Sequence, residues 1–277
     1  MKLILFGLIF AGIQTSYAES KPTHRKLIKS AKTFDFNGIV KTDQCSGALI
    51  HFSGQPQSDF GYILTNGHCL KRKKMMPANL TISNKRNRLK FKVYNKNLKS
   101  IRLKATQLVF ATMDDTDAAI YRINKTYSQL LALGVDSFEL SSIRPSVFDQ
   151  VDIVSGYWNR GYQCEIKRFI YKIREGQYTW YDSLALASND CNIVDGVSGS
   201  PIIMRGRRLV VAVINSGNEK GKLCTQENPC EVDESGHAII DKSVSYGQQT
   251  YKFYSCLTPD FKIDLDFPGC QLPNKSR

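Results

Sequence analysis

Gly196-Val197-Ser198-Gly199-Ser200-Pro201 is followed at once by Ile202-Ile203-Met204. A serine sits between glycines in a turn that closes on a proline, and an apolar run then starts a buried strand. Glycine adopts positive φ and lets the main chain approach other groups closely. A site needs that freedom when N–H groups must point into a cleft instead of a sheet. Two readings follow. Ser198 is a nucleophile whose turn receives an oxyanion, or the segment is a surface turn, since Gly and Ser dominate turns. The rest of the chain decides between them.

Acyl transfer by serine requires a base within hydrogen-bond reach, a carboxylate that holds the base in one tautomer, and donors for the oxyanion. The chain has four histidines. His24 lies in a polar arm, His237 in a late loop region, and His51 inside an expected strand, where a packed histidine is ordinary. His68 ends the stretch Thr65-Asn66-Gly67-His68-Cys69, just after an expected strand over 62–65. Cys45 begins the preceding strand, so a Cys45–Cys69 bridge across the hairpin is geometrically natural. Asp114, Asp115 and Asp117 precede Ala118-Ala119-Ile120. An aspartate buried behind a histidine belongs nearest the apolar run, which selects Asp117 and keeps Asp115 in reserve. A solvated acidic loop is the other reading.

Around these residues, short apolar runs alternate with turns. Strands are expected over 45–52, 62–65, 89–94, 101–110, 118–123, 150–155, 163–174, 179–186, 201–204, 209–215 and 249–256, with a short helical turn at 128–133. Many short strands at regular spacing indicate an all-β barrel or sandwich. Residues 124–146 are the least regular and separate two halves. Residues 1–18 read as a signal peptide: Lys2, an apolar run over 3–13, and Ser16-Tyr17-Ala18 as a small-x-small cleavage signal. The run is shorter than the roughly 20 residues of a spanning helix, and no later segment is apolar enough to span. The expectation is an exported, soluble protein, secreted or periplasmic after cleavage near Ala18. Residues 19–35 are polar and basic and read as an arm or short pro-segment.

The eight cysteines are an even number in an exported chain, which favours four disulfides over free thiols. Without Cys-x-x-Cys or a histidine pair at ligand spacing, no metal or cofactor is expected. The formal charge is +13, of which Lys2 would leave with the signal peptide. Such an excess attracts acidic surfaces. No nucleic-acid recognition motif accompanies it, and Lys71-Arg72-Lys73-Lys74 reads as a solvated face.

Cys-Ser-Gly-Ala-Leu-Ile from 45, Thr-Asn-Gly-His-Cys-Leu from 65, Thr-Asp-Ala-Ala-Ile from 116 and Gly-Val-Ser-Gly-Ser-Pro-Ile-Ile from 196 together resemble the trypsin/chymotrypsin-fold serine proteases. The order His, Asp, Ser is that of this family, whereas the α/β-hydrolases place serine first and need Gly where this chain has Ser200. The resemblance implies an all-β fold of two antiparallel six-stranded β-barrels within a protease domain over 36–277. The first barrel spans about 36–130 and the second about 145–260, with the active site in the cleft between them.

It further implies Ser198 as nucleophile, His68 as base, Asp117 as its orienting acid, and the N–H groups of Gly196 and Ser198 as the oxyanion hole. Ile214-Asn215-Ser216-Gly217 would pair with substrate backbone, with Asn215 and Gly217 as substrate-binding residues. The implied substrate is a protein or peptide. Cys164–Cys191, Cys224–Cys230 and Cys256–Cys270 are the remaining bridges that resemblance and proximity suggest. Val197 stands where trypsin-like zymogens have the Asp that receives the activation ammonium, and no Ile-Val-Gly-Gly start exists, so activity is expected to be independent of that ion pair. These features are closest to the bacterial glutamyl-endopeptidase-like (V8-like) branch. Ile214, however, stands about where that branch often has a pocket His, and Asn192 and Asp195 are the candidates for the pocket base. A catalytically silent binder of acidic surfaces and an esterase are the alternative functions on this scaffold.

Overall fold

Runs in which exposed and buried residues alternate, such as Lys90-Phe91-Lys92-Val93, make strands with one apolar face. A computed structural model describes residues 24–70, 75–188, 191–218 and 220–274. The expected signal peptide, the Lys71–Lys74 run and Asp190 lie outside the described residues. Helix α1 (His24–Ser30) leads into β1 (Ile39–Lys41), β2 (Ser46–His51), β3 (Phe60–Thr65), β4 (Thr81–Arg86), β5 (Lys90–Tyr94), β6 (Ser100–Thr112) and β7 (Ala118–Thr126). Six of these strands, in the spatial order β1-β5-β6-β7-β3-β2, close into an antiparallel barrel through the pairing of β1 with β2. β4 pairs with β6 outside that ring.

Helix α2 (Tyr127–Ala132) follows, held by a capping box in which Thr126 and Gln129 satisfy each other's backbone N–H groups. Then come β8 (Phe138–Leu140), β9 (Gln150–Ser155), β10 (Arg160–Glu175), β11 (Tyr178–Ala187), β12 (Pro201–Met204), β13 (Leu209–Gly217), β14 (Cys230–Val232), β15 (Ala238–Ile239) and β16 (Ser245–Gln249). The order β13-β12-β9-β10-β11-β16 forms a second ring, closed where β13 meets β16. β8 runs parallel to both β2 and β13 and joins the two rings edge to edge.

Each barrel is filled by the inward set of its strands. Leu49, Ile63, Phe91, Leu103 and Tyr121 fill the first, and Ile153, Ile166, Leu184, Ile202 and Ala212 the second. Between them Ile50, Phe138, Val154, Ile203 and Val213 form a shared apolar seam. A fully buried Leu or Ile contributes about 1.5–3 kcal/mol, so this seam holds the barrels in one relative position.

One expectation differs from the structure. Residues 249–256 are not one strand: β16 ends at Gln249 and a 3₁₀ helix covers Tyr251–Cys256. The buried residues there are Phe253 and Cys256, three apart, which is the 3₁₀ period. Phe253 meets Phe110 edge-on at 5.5 Å, and the Tyr254 hydroxyl donates to the Leu140 carbonyl at 2.8 Å, so the tail packs on the first barrel. The described part of the expected arm is likewise docked. Leu27 and Phe36 are buried in the seam, Arg208 pairs with Asp35, and the Phe34 ring occupies the space a Cβ at Gly161 would need. One apolar contact in a seven-residue helix leaves no periodicity to read in the sequence.

Leu27→Ala tests this docking. A core truncation of this type costs about 2–4 kcal/mol, so the urea midpoint is expected to fall accordingly. A change below about 0.5 kcal/mol would show that the segment does not pack.

Candidate active site

The turn at 196–201 is built by close approach. Gly196 and Gly199 have φ of +80° and +78°. A Cβ at Gly199 would lie 2.2 Å from the Ser46 carbonyl oxygen, and one at Gly196 would lie 3.0 Å from the Trp158 indole nitrogen. The Ser46 N–H donates to the Ser198 carbonyl at 2.9 Å, and the Ser200 N–H and hydroxyl both donate to the Val197 carbonyl. Trp158 Nε1 donates to the Asp195 carbonyl at 2.7 Å and holds the turn from its other side. Among the described residues, no acceptor takes the N–H groups of Gly196 or Ser198. Trp158 was not legible in the sequence, because it acts from a turn far away in the chain.

His68 is placed by the first barrel. The Cys45–Cys69 disulfide anchors its neighbour, and Gly67 passes so close to β6 that a Cβ would lie 1.9 Å from the Thr112 carbonyl oxygen. Asp117, fully buried just before β7, accepts from the His68 main-chain N–H through Oδ1 at 3.0 Å. Its Oδ2 lies 2.6 Å from His68 Nδ1. A carboxylate only accepts, so Nδ1 carries the hydrogen and Nε2 of the neutral ring is left as a base. Asn66 donates to the Asp117 carbonyl at 2.8 Å. Asp115, the reserve candidate, is exposed, and its carbonyl accepts from the Tyr181 N–H of the second barrel.

His68 and Ser198 line one cleft of about 700 Å³ between the barrels, with Asn215, Ser216 and Gly217 along one wall and residues 191–195 on another. Asn192 and Asp195 both line it and are exposed. β12 pairs with β13 only as far as Val213, whereas β16 continues to Gly217. Residues 215–217 therefore keep one edge unpaired along the cleft. The Asn215 side chain is buried on this wall, and both ends of its amide lack a partner among the described residues. Val197 is buried in the core of the second barrel.

Glu175 is a cleft residue that the sequence did not single out. It closes β10 and accepts from the Ser216 hydroxyl at 2.5 Å and from the Glu227 N–H at 2.8 Å. Burial raises its carboxyl above the usual range, against these hydrogen bonds and the attraction of His68. For His68, burial pushes the imidazole down, but the charge and hydrogen bond of Asp117, with the charge of Glu175, outweigh it and the net shift is upward. Folding therefore favours the protonated ring. That contribution is complete below the unfolded value of ~6.5 and is lost as pH rises through the higher folded value.

The four disulfides are Cys45–Cys69, Cys164–Cys191, Cys224–Cys230 and Cys256–Cys270. Cys164–Cys191 ties the cleft wall at 191–195 to β10. Cys45, His68 and Cys69 form the one metal-like cluster among the described residues. Both sulfurs are joined in the disulfide and Asp117 holds Nδ1, so the cluster offers no thiolate. None of the described helices is long and apolar enough to cross a membrane. His51 lies elsewhere, 2.9 Å from the Ser137 hydroxyl, and His237 is exposed in its loop.

Residues 45–213 match the family described as trypsin-like peptidase domain. No curated protein matches the chain. Similar solved structures include the MamO protease domain of Magnetospirillum magneticum, at 13% identity over 80% of this chain and 97% of that one, with a TM-score of 0.49. A Nocardiopsis protease is 14% identical over 78% and 93%, with a TM-score of 0.43. A serine protease specific for glutamic acid, described as using a histidine triad in substrate binding, is 13% identical over 76% and 91%, with a TM-score of 0.42.

The net upward shift of His68 sets an expected outcome. The acid limb of any His68-dependent rate should centre above pH 6.5, and Glu175→Gln should move it downward, because it removes one of the raising charges. An imidazole titration by NMR with the same midpoint in both proteins would remove Glu175 from the field acting on His68.

Proposed function

The chain belongs to the trypsin-like peptidase family, and we propose that it is an exported serine endopeptidase in which Ser198, His68 and Asp117 form the catalytic triad. The observation that carries this reading is the 2.6 Å contact between His68 Nδ1 and the buried Asp117, with Ser198 in the same cleft. Four disulfides favour an oxidising compartment, in keeping with export after removal of residues 1–18. The turn Gly-Val-Ser-Gly-Ser-Pro and Val197 in place of an acid favour the V8-like branch.

Ser198 Oγ attacks the scissile carbonyl carbon as its proton passes to His68 Nε2. The carbonyl oxygen becomes an oxyanion and takes hydrogen bonds from the Gly196 and Ser198 N–H groups, which no acceptor takes among the described residues. His68 returns the proton to the departing amine, leaving an acyl ester on Ser198. Water, deprotonated by His68, attacks that ester, and the proton then returns to Ser198 Oγ as the acid leaves. Asp117 fixes the tautomer of His68 and stabilises its cation throughout.

Two features favour a peptide substrate over a simple ester. The unpaired edge at 215–217 offers main-chain groups to an extended chain, as in strand addition. The Asn215 amide offers a donor and an acceptor beside it. Val197 sits in an apolar core, which supports activity without a buried ammonium–carboxylate switch. A silent binder would have no need of a buried carboxylate aligned on His68.

Ser198→Ala is expected to abolish labelling by a serine-directed phosphonate and to reduce peptide hydrolysis by about 10⁴-fold or more. A Ser198→Ala protein as active as the parent would refute the assignment.

A further inference from the structure

Cations face one another in register on the outside of the first barrel. Lys41 of β1 lies opposite Lys92 of β5, and Lys92 lies opposite Arg102 of β6. Two residues back along β5, Lys90 lies opposite Lys104. Direct cross-strand partners share a face, with Cβ atoms roughly 4.5–5.5 Å apart, so five cations crowd one side of three strands. The interleaved Phe91, Val93, Leu103 and Ala105 are buried as the strand pattern requires. The outward set is what departs from ordinary design, because directly opposed like charges destabilise a sheet. Thr or Ser would serve the fold better at these positions.

Among the described residues, no salt bridge joins any of the five cations to a carboxylate. Lys41, Lys90, Lys92 and Arg102 line a hollow of about 490 Å³, together with Tyr157 and a single acid, Asp43. The hollow shares no lining residue with the catalytic cleft. Lys41 is half-buried there, with Nζ donating to the Tyr157 carbonyl at 3.1 Å and lying 5.4 Å from its ring centre. Burial, then the charge of Lys92, lowers its pKa, so the free site carries its charge at a cost that a bound anion would remove.

We infer that this hollow is an exosite for a sulfated polysaccharide, whose sulfate groups are taken by the row Lys41, Lys92 and Arg102. The row is one residue wide and spans two strand spacings, roughly 9–10 Å, which suits a narrow and densely charged chain. Arg102 adds a planar fork that fits a sulfate oxygen pair. Single-stranded nucleic acid is less well served, since its bases need aromatic platforms. The hollow has only Tyr157, whose ring already meets Lys41 on one side and the edge of Trp158 at 5.0 Å. The disulfides also belong to an oxidising compartment, where extracellular glycans are met.

The test measures heparin binding to the purified chain over a salt series. Lys41→Ala/Lys92→Ala/Arg102→Ala is compared with the charge-matched variant Lys29→Ala/Lys32→Ala/Arg207→Ala, whose three positions are exposed and outside the hollow. The first variant is expected to bind at least about tenfold more weakly, a loss set by three charge-assisted contacts, and with a shallower salt dependence. The control should stay within about twofold, since surface charges outside the site act only through the screened field. The thermal midpoint of the first variant should not fall, because repulsion has been removed. If it does fall, the single variants Lys92→Gln and Arg102→Gln replace it and must each weaken binding. Equal losses in the two triple variants, or no heparin binding at physiological salt, would overturn the exosite. Oligo(dT) or inorganic polyphosphate bound as tightly as heparin would overturn the polysaccharide assignment.

Discussion

The hydrogen bond from the Ser46 N–H to the Ser198 carbonyl, 2.9 Å long, crosses from the first barrel to the second, and the candidate site depends on it. Ser46 is bound on every side. Its carbonyl accepts from the Thr65 hydroxyl at 2.7 Å, and its own hydroxyl meets the Ser155 hydroxyl and the Tyr157 N–H. Thr65 begins the segment that ends in His68, and Cys45 is bridged to Cys69. One residue thus fixes the strand that delivers the histidine and the turn that delivers the serine. The absence of a Cβ at Gly199 is what permits the contact, since a Cβ there would lie 2.2 Å from the Ser46 oxygen.

Around that junction, covalent and apolar restraints divide the work. Cys45–Cys69 and Cys164–Cys191 span 24 and 27 residues, and each limits the unfolded chain by about 3.5 kcal/mol in the loop-entropy picture. Cys224–Cys230 spans six and contributes about 2 kcal/mol. The two longer bridges are those that flank the cleft, one beside His68 and one at the wall formed by residues 191–195. The apolar seam of Ile50, Phe138, Val154 and Val213 then keeps the barrels from sliding, and Phe253 of the 3₁₀ helix and Leu27 of α1 belong to the same apolar cluster. Stability and site geometry come from the same contacts, so a change in the seam is felt at the cleft.

Electrostatics is distributed unevenly over this frame. In the cleft, a fully buried Asp117 and a largely buried Glu175 act together on one imidazole. On the outer face of the first barrel, cations are opposed without an ion pair to a carboxylate among the described residues. Both arrangements work against stability locally, one by burying charge and the other by repulsion. Both persist because the barrel strands around them are satisfied in their backbone pairing and apolar packing.

The chain by itself determined the strand periodicity, the even cysteine count and the residue types of the candidate triad in their order, because these are local patterns with local physical causes. The turn at Ser198 could be read because glycines flank the serine, and a positive φ favours glycine. The Gly67-His68-Cys69 corner was legible because a disulfide was expected beside it. Tertiary structure decided what depends on distant partners. Trp158 on the back of the turn at Ser198, Glu175 in the same cleft as His68, and Ser46 joining the barrels all lie far in sequence from the groups they act on. The seven-residue helix at His24–Ser30 and the 3₁₀ turn at Tyr251–Cys256 carry too few buried positions to show a period, so only their packing defines them. The opposed cations of β1, β5 and β6 were invisible for the same reason. In the sequence they are ordinary outward lysines and arginines, and only the register of three strands sets them face to face.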